Sequence, residues 1–221
     1  MRYLVANWKQ NMNRAQIIDF FYEFSAFLKN KSFETKIIIC PSYVHLSEVS
    51  QLVSNLSNVF VGAQDVSIYE NGAHTGKVGA NQIFDYADYS IIGHSELSDS
   101  FDDVLSKKNL LVSDDLVPII CYVADEIFKK LYDEDSIMAW EDPDNISKSG
   151  YFNSKDPKEV ENYFKSIKSS YPNATILYGG SVNKQVSADL ANIPELDGFL
   201  VGSASLDPQH FFQLLIDLER K

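Results

Sequence analysis

Four side chains are of types that move protons or hold an anion, and each stands at the end of a short apolar run. Glu141 follows Ile137–Trp140 directly, with a polar, proline-containing loop after it. A carboxylate at the apolar end of a buried strand is costly unless it has a partner or a task. Such burial also raises a carboxyl pKa toward the range a general base needs. The alternative at this position is a charge that merely opens a solvated loop. His94 follows Tyr89–Ile92 within Gly93-His94-Ser95-Glu96. It is either a satisfied core imidazole or a proton carrier. Ser95 and Glu96 read as the start of a short helix, whose N-terminal partial charge disfavours imidazolium. Asn7 and Lys9 flank Trp8 after the first apolar run. Two residues apart at a strand's end, they project the same way, as an amide hydrogen-bonding group and a fixed positive charge. The plain alternative for Lys9 is a surface lysine.

Two further runs suit an anion. Tyr178-Gly179-Gly180-Ser181-Val182 and Val201-Gly202-Ser203-Ala204-Ser205 both put small residues directly after an apolar segment. Glycine lets the backbone approach a ligand closely, and backbone N–H groups where a helix begins bind phosphate. Either turn alone is weak evidence, since glycine pairs are common in loops. The two at matched positions reinforce each other.

The elements that position these residues are regular. Tyr3–Ala6, Lys36–Cys40, Val59–Gly62, Tyr89–Gly93, Val117–Cys121, Ile137–Trp140, Ala174–Tyr178 and Gly198–Val201 read as strands. Most are continuous Ile- and Val-containing runs, which suits parallel strands covered on both faces. Amphipathic segments lie between them. Ile17, Phe20, Phe21, Phe24, Phe27 and Leu28 mark one helix. Val160, Tyr163, Phe164 and Ile167 mark another, starting near Asp156-Pro157, and Phe211, Leu214, Leu215 and Leu218 mark the last, after Asp207-Pro208. The segment from Glu126 to Tyr132 leaves room only for a shortened fifth helix. Eight β-then-α units with no linker predict an α/β fold, a closed (β/α)8 barrel spanning 1–221 as one domain. An open doubly wound sheet is the second choice. In a barrel the βα turns named above gather at the C-terminal mouth. At 221 residues the chain is short for this fold, so trimmed helices or loops are expected.

Bulk properties exclude other classes. With 31 acidic against 19 basic residues the net charge is −12, and no basic cluster offsets it. This argues against nucleic acid or an anionic membrane as partner. Cys40 and Cys121 have no metal-binding spacing and read as buried thiols in a reducing compartment. The start, MRYLVANWKQN, has no signal-peptide apolar core, and no run of about 18 apolar residues could span a membrane. A cytoplasmic protein is expected.

Taken together, the ordered motifs resemble those of the triosephosphate isomerase family. They are Asn7-Trp8-Lys9, Gly62-Ala63-Gln64-Asp65-Val66, Gly72-Ala73-His74-Thr75-Gly76, Ile92-Gly93-His94-Ser95-Glu96, Glu141, Tyr178–Val182 and Asp197–Leu206. The resemblance implies the TIM barrel of that family and interconversion of dihydroxyacetone phosphate and D-glyceraldehyde 3-phosphate. Under it Glu141 takes the proton beside the carbonyl, and neutral His94 polarises that carbonyl. Lys9 and Asn7 hold the substrate, and backbone N–H groups of Ser147, Ser181, Gly202 and Ser203 hold its phosphate. Ser95 and Glu96 play supporting roles: Glu96 is a structural carboxylate near Lys9 or, equally, an acid favoured at a helix start. The family is dimeric and some short members form tetramers, so a homodimer is implied, with Thr75 packing near a neighbour's Asn7 and Lys9. No metal or cofactor is required.

Three departures stand out. The family's lid glycines are replaced by Ile146-Ser147-Lys148-Ser149, and the second glycine after strand eight is Ser203. Leu97 and Ser98 replace arginines, while Tyr122-Val123-Ala124 replaces a Gly-Glu turn, so a charge pair near the site is expected to be missing on both sides. The altered lid leaves two alternatives: an enzyme re-tuned to another sugar phosphate, or a catalytically weak phosphate-binding barrel.

Overall fold

The computed structural model describes residues 1–141 and 155–220. Eight strands close into a parallel barrel in sequence order. They are β1 (Tyr3–Asn7), β2 (Lys36–Cys40), β3 (Val59–Ala63), β4 (Tyr89–Ile92), β5 (Val117–Tyr122), β6 (Ile137–Trp140), β7 (Thr175–Tyr178) and β8 (Gly198–Val201). Each matches its predicted run to within one residue at either end, and the open-sheet alternative falls because β8 pairs back onto β1. The helices are α1 (Arg14–Leu28), α2 (Leu46–Val53), α3 (Ala80–Ile83), α4 (Phe101–Ser113), α5 (Asp125–Leu131), α6 (Pro157–Ser170), α7 (Ser187–Ala191) and α8 (Pro208–Glu219). The fifth helix is short, at 7 residues, and α3 and α7 are shorter still, at 4 and 5.

The helix starts follow from local chemistry. Asn13 caps α1 in a reciprocal box with Gln16, and Ser100 caps α4 in the same way with Asp103. Asp156 and Asp207 cap α6 and α8, each with proline in the first turn where no N–H is needed.

Continuous apolar strands are explained by two apolar layers. Val5, Ile38, Ile91, Ile119, Ala139, Leu177 and Leu200 fill the barrel interior. Their chain neighbours, among them Leu4, Ala6, Ile37, Ile39, Ile120 and Ile176, face the surrounding helices. This strict alternation places the mouth. Counting on by two from interior positions leads from Val5 to Asn7, from Ala139 to Glu141, from Leu177 to Gly179 and from Leu200 to Gly202. The seam between β1 and β8 depends on Gly198. Its φ is 149°, and an added Cβ would lie 1.8 Å from the Tyr3 carbonyl oxygen. No side chain fits there without opening the barrel.

Candidate active site

At the C-terminal mouth a cavity of about 60 Å³ is lined by Asn7, Lys9, His94, Glu141, Ser181, Gly202 and Ser203. All seven were nominated from the sequence. Ser147, the other nominated residue for the phosphate, lies outside the described residues.

The β1 end is built around Trp8. Its ring is fully buried among Phe20 and Phe21, with centroids 5.0 and 6.0 Å away, and its Nε1–H donates to the Ser205 carbonyl at 3.3 Å. With Trp8 drawn outward into the helix layer, the residues on either side face the mouth. They do so by different means. Asn7 ends β1 with its side chain inward, whereas Lys9 has left the strand and sits at φ 51°. That conformation costs a non-glycine residue about 1–2 kcal/mol, so it must be held. The Lys9 N–H donates to Asn7 Oδ1 at 3.1 Å, and Gln64 Nε2 donates to the Lys9 and Cys40 carbonyls, each at 2.9 Å. Gln64 is thus a supporting residue, one whose task no local sequence signal marks.

Lys9 Nζ lies 2.7 Å from Glu96 Oε1. Of the two readings of Glu96, the lysine partner is therefore the one realised. The helix expected to begin at Ser95 is a correction: residues 95–97 form a single turn closed by Leu97 N–H donating to the His94 carbonyl at 2.8 Å, and α4 begins only at Phe101. Three residues before Ser100, the chain lacks the capped run needed to propagate a helix. The state of His94 is set instead by a hydrogen bond. The Glu96 backbone N–H donates to His94 Nδ1 at 3.2 Å. An N–H can only donate, so Nδ1 is bare and the ring proton sits on Nε2. Nε2 faces Glu141 Oε1 at 3.0 Å.

Glu141 is 3% exposed, so the solvated-loop alternative is excluded. Its second oxygen accepts the Ser95 N–H at 3.1 Å, which is the contribution of Ser95. Gly179 makes room for it: a Cβ there would come within 3.2 Å of Glu141 Cγ and of the Trp140 carbonyl. The Cys121 thiol also hydrogen-bonds the carboxylate, and burial, followed by the Glu141 charge, holds that thiol well above its ordinary range. The expected upward pKa shift of Glu141 does not occur. Burial is the largest single influence and acts upward, but the hydrogen bonds from His94 and the Ser95 N–H and the charge of Lys9 together outweigh it. The carboxyl sits below its ordinary value, as a carboxylate with several donors should.

The β7 and β8 turns are simpler. Ser181 follows β7 at φ 52°, and Gly202 precedes a single 3-10 turn, Ser203–Ser205, after β8. Thr75 lies away from this cavity, on an exposed stretch from 69 to 77 where the Tyr69 and His74 rings stack at 4.1 Å. Among the described residues no group of three or more His, Cys, Asp or Glu side chains could hold a metal ion.

A family model described as triosephosphate isomerase matches residues 2–217. The chain belongs to the triosephosphate isomerase family. Named triosephosphate isomerases resemble it along nearly their whole length. That of Buchnera aphidicola subsp. Baizongia pistaciae is 32% identical, covering 96% of this chain and 97% of its own. The Mycoplasma genitalium protein is 30% identical, over 96% and 97%. The Wolbachia pipientis wMel protein is 28% identical, over 99% and 94%. In a triosephosphate isomerase family member of this length, the trimmed α3, α5 and α7 leave all eight strands and the mouth intact.

Proposed function

We propose that this protein interconverts dihydroxyacetone phosphate and D-glyceraldehyde 3-phosphate, the triosephosphate isomerase reaction of glycolysis and gluconeogenesis. The observation that carries the proposal is the contact between Glu141 Oε1 and His94 Nε2 at 3.0 Å, beside Lys9, at the mouth of the barrel. An acid–base pair next to a fixed cation is what proton transfer through an enediolate needs.

Glu141 and His94 touch directly, so a substrate carbonyl cannot lie between them until the carboxylate turns away. Glu141 then takes a proton from the carbon beside the carbonyl. The C–H electron pair becomes the enediolate double bond, and the carbonyl oxygen gains negative charge. Neutral His94 donates its Nε2 proton to that oxygen and recovers one from the neighbouring hydroxyl. Glu141 returns its proton to the adjacent carbon. Atoms and electrons balance without an external oxidant. Lys9 and Asn7 stabilise the oxygen charge, and backbone N–H groups of Ser181, Gly202 and Ser203, with Ser147, hold the phosphate.

The chain acts as one barrel domain in the cytoplasm. No described helix is long and apolar enough to cross a membrane. It works as a homodimer, in which the exposed 69–77 stretch enters a neighbour's mouth and brings Thr75 near that neighbour's Asn7 and Lys9. Nine consecutive exposed residues, Tyr69 among them, support that reading. The re-tuned and non-catalytic alternatives rest on residues 146–149, outside the described residues.

The test is a coupled assay of glyceraldehyde 3-phosphate isomerisation beside a Glu141→Gln control. Turnover that the control abolishes is the expected result. A folded parent no faster than the control overturns the proposal.

A further inference from the structure

We propose that Lys107 is a positioning residue for this site: one buried ammonium that clamps the turns after β3 and β4 and so holds Lys9 in its strained place. Lys107 lies on α4, and its side chain is 5% exposed. Its Nζ is 2.7 Å from Asp65 Oδ1, 2.7 Å from Asp99 Oδ1 and 2.6 Å from Asp99 Oδ2. The two carboxylates belong to different βα connections, and each leads to Lys9.

One arm runs through Asp65 to its neighbour Gln64, whose amide holds the Lys9 carbonyl. The other runs from Asp99 back along the turn that carries His94, Ser95 and Glu96, and Glu96 holds Lys9 Nζ. The backbone and the head group of Lys9 are thus each held by a turn that Lys107 anchors. Without the ammonium, Asp65 and Asp99 face each other as half-buried like charges, and the turns relax by moving apart. Asp65 already sits above the ordinary carboxylate range, through burial first, with Lys107 acting against the rise and Asp99 adding to it.

The next residue supplies an internal control. Lys108 is also buried on α4, but its Nζ holds the Leu131 carbonyl at the end of α5 and the Asp133 carboxylate, each at 2.5 Å. It has the same chemistry and no arm to the mouth.

The experiment compares Lys107→Met and Lys108→Met in the full chain by three readouts: thermal unfolding, isomerase kcat and KM, and binding of inorganic phosphate by calorimetry. Lys107→Met should raise KM and the phosphate Kd about fivefold or more and lower kcat about tenfold, the scale of a small misplacement of a reacting group. Lys107→Arg should restore both to within about threefold, as a buried cation of the same sign. Lys108→Met should lose thermal stability and leave kcat, KM and phosphate affinity unchanged. If Lys107→Met does not fold, the triple variant Lys107→Met/Asp65→Asn/Asp99→Asn removes all three charges, a milder change than stranding two. Parent-like kinetics and phosphate binding in whichever of the two folds overturn the proposal. It rests on the isomerase reading only for the choice of substrate. A parent that binds phosphate but does not isomerise triose phosphate defeats that reading, while the calorimetric comparison still decides the clamp.

Discussion

The two ends of the barrel handle the same backbone problem differently. Among the described residues, seven non-glycine positions have positive φ. Three lie at the αβ end, between a helix and the next strand: Asn30, Asn58 and Asp115. Asn and Asp tolerate the left-handed region because a short polar side chain can hydrogen-bond nearby, and Asn58 Nδ2 donates to the Phe33 carbonyl. The other four lie at the βα end, between a strand and the next helix: Lys9, Met12, Ser98 and Ser181. None is of a type that favours this conformation, and two of them, Lys9 and Ser181, line the mouth cavity. Turns that only reverse the chain use residues that relax into them. Turns at the site use residues chosen for other reasons, and surrounding bonds hold the strain.

The comparison can be broken or sharpened by substitution at either end. The largest effect belongs to Glu141. Glu141→Gln should lower kcat about 10³- to 10⁴-fold, the upper part of the range for losing a general base. Glu141→Asp, which draws the carboxylate back by about 1 Å, should cost about 100-fold in kcat with little change in KM. Steady-state kinetics check both, and an unchanged kcat removes Glu141 from the role.

Next is the strained cation. Lys9→Ala and Lys9→Gly should both weaken phosphate binding at least tenfold, measured by calorimetry. They should differ in stability, with the glycine variant about 1 kcal/mol the more stable because φ 51° no longer strains a side chain. Equal stability would mean that Lys9 stores no strain. At the other end, Asn58→Ala should cost about 1–2 kcal/mol in denaturant unfolding, through the lost hydrogen bond and the unfavourable φ. Its kcat/KM should stay that of the parent; a change in activity would join the two ends that the comparison separates.

The smallest effect is on pH dependence. A carboxyl whose folded pKa is depressed contributes stability that is present above its unfolded pKa and lost as pH falls through the folded one. Glu141 is of this kind. Its base form should therefore persist down to pH values below about 4.3, the ordinary glutamate value. A carbon-13 NMR titration of the Glu141 carboxyl in the free enzyme with its midpoint above that value would show that the surrounding donors do not outweigh burial.

Much of this was legible in the chain. The strands were readable because each is buried on both faces, which leaves uninterrupted apolar runs such as the four residues after Lys36 in β2 and Val117–Tyr122. Asn7, Lys9, His94 and Glu141 were readable because they end such runs, and in a closed barrel those ends converge. Gln64 and Lys107 were not, because a glutamine after a strand and a lysine on a helix look like ordinary surface residues until the turns after β1, β3 and β4 meet. The helix at Ser95 failed because its polar residues bond back to His94 and Lys9 instead of continuing a helical ladder.

By itself, then, the sequence determined the order and kind of the elements, the placing of Asn7, His94, Glu141 and the two small-residue turns at strand ends, and the chemical types there. These depend on period and position, which are local. The tertiary structure alone decided what each group touches. It put the proton of His94 on Nε2 and surrounded Glu141 with enough donors to lower its pKa where burial alone pushes upward. It also held Lys9 at positive φ between Asn7, Gln64 and Glu96. Hydrogen bonds and charges act over a few ångströms, and only closure of the barrel brings residues about 45 to 130 positions apart within that reach.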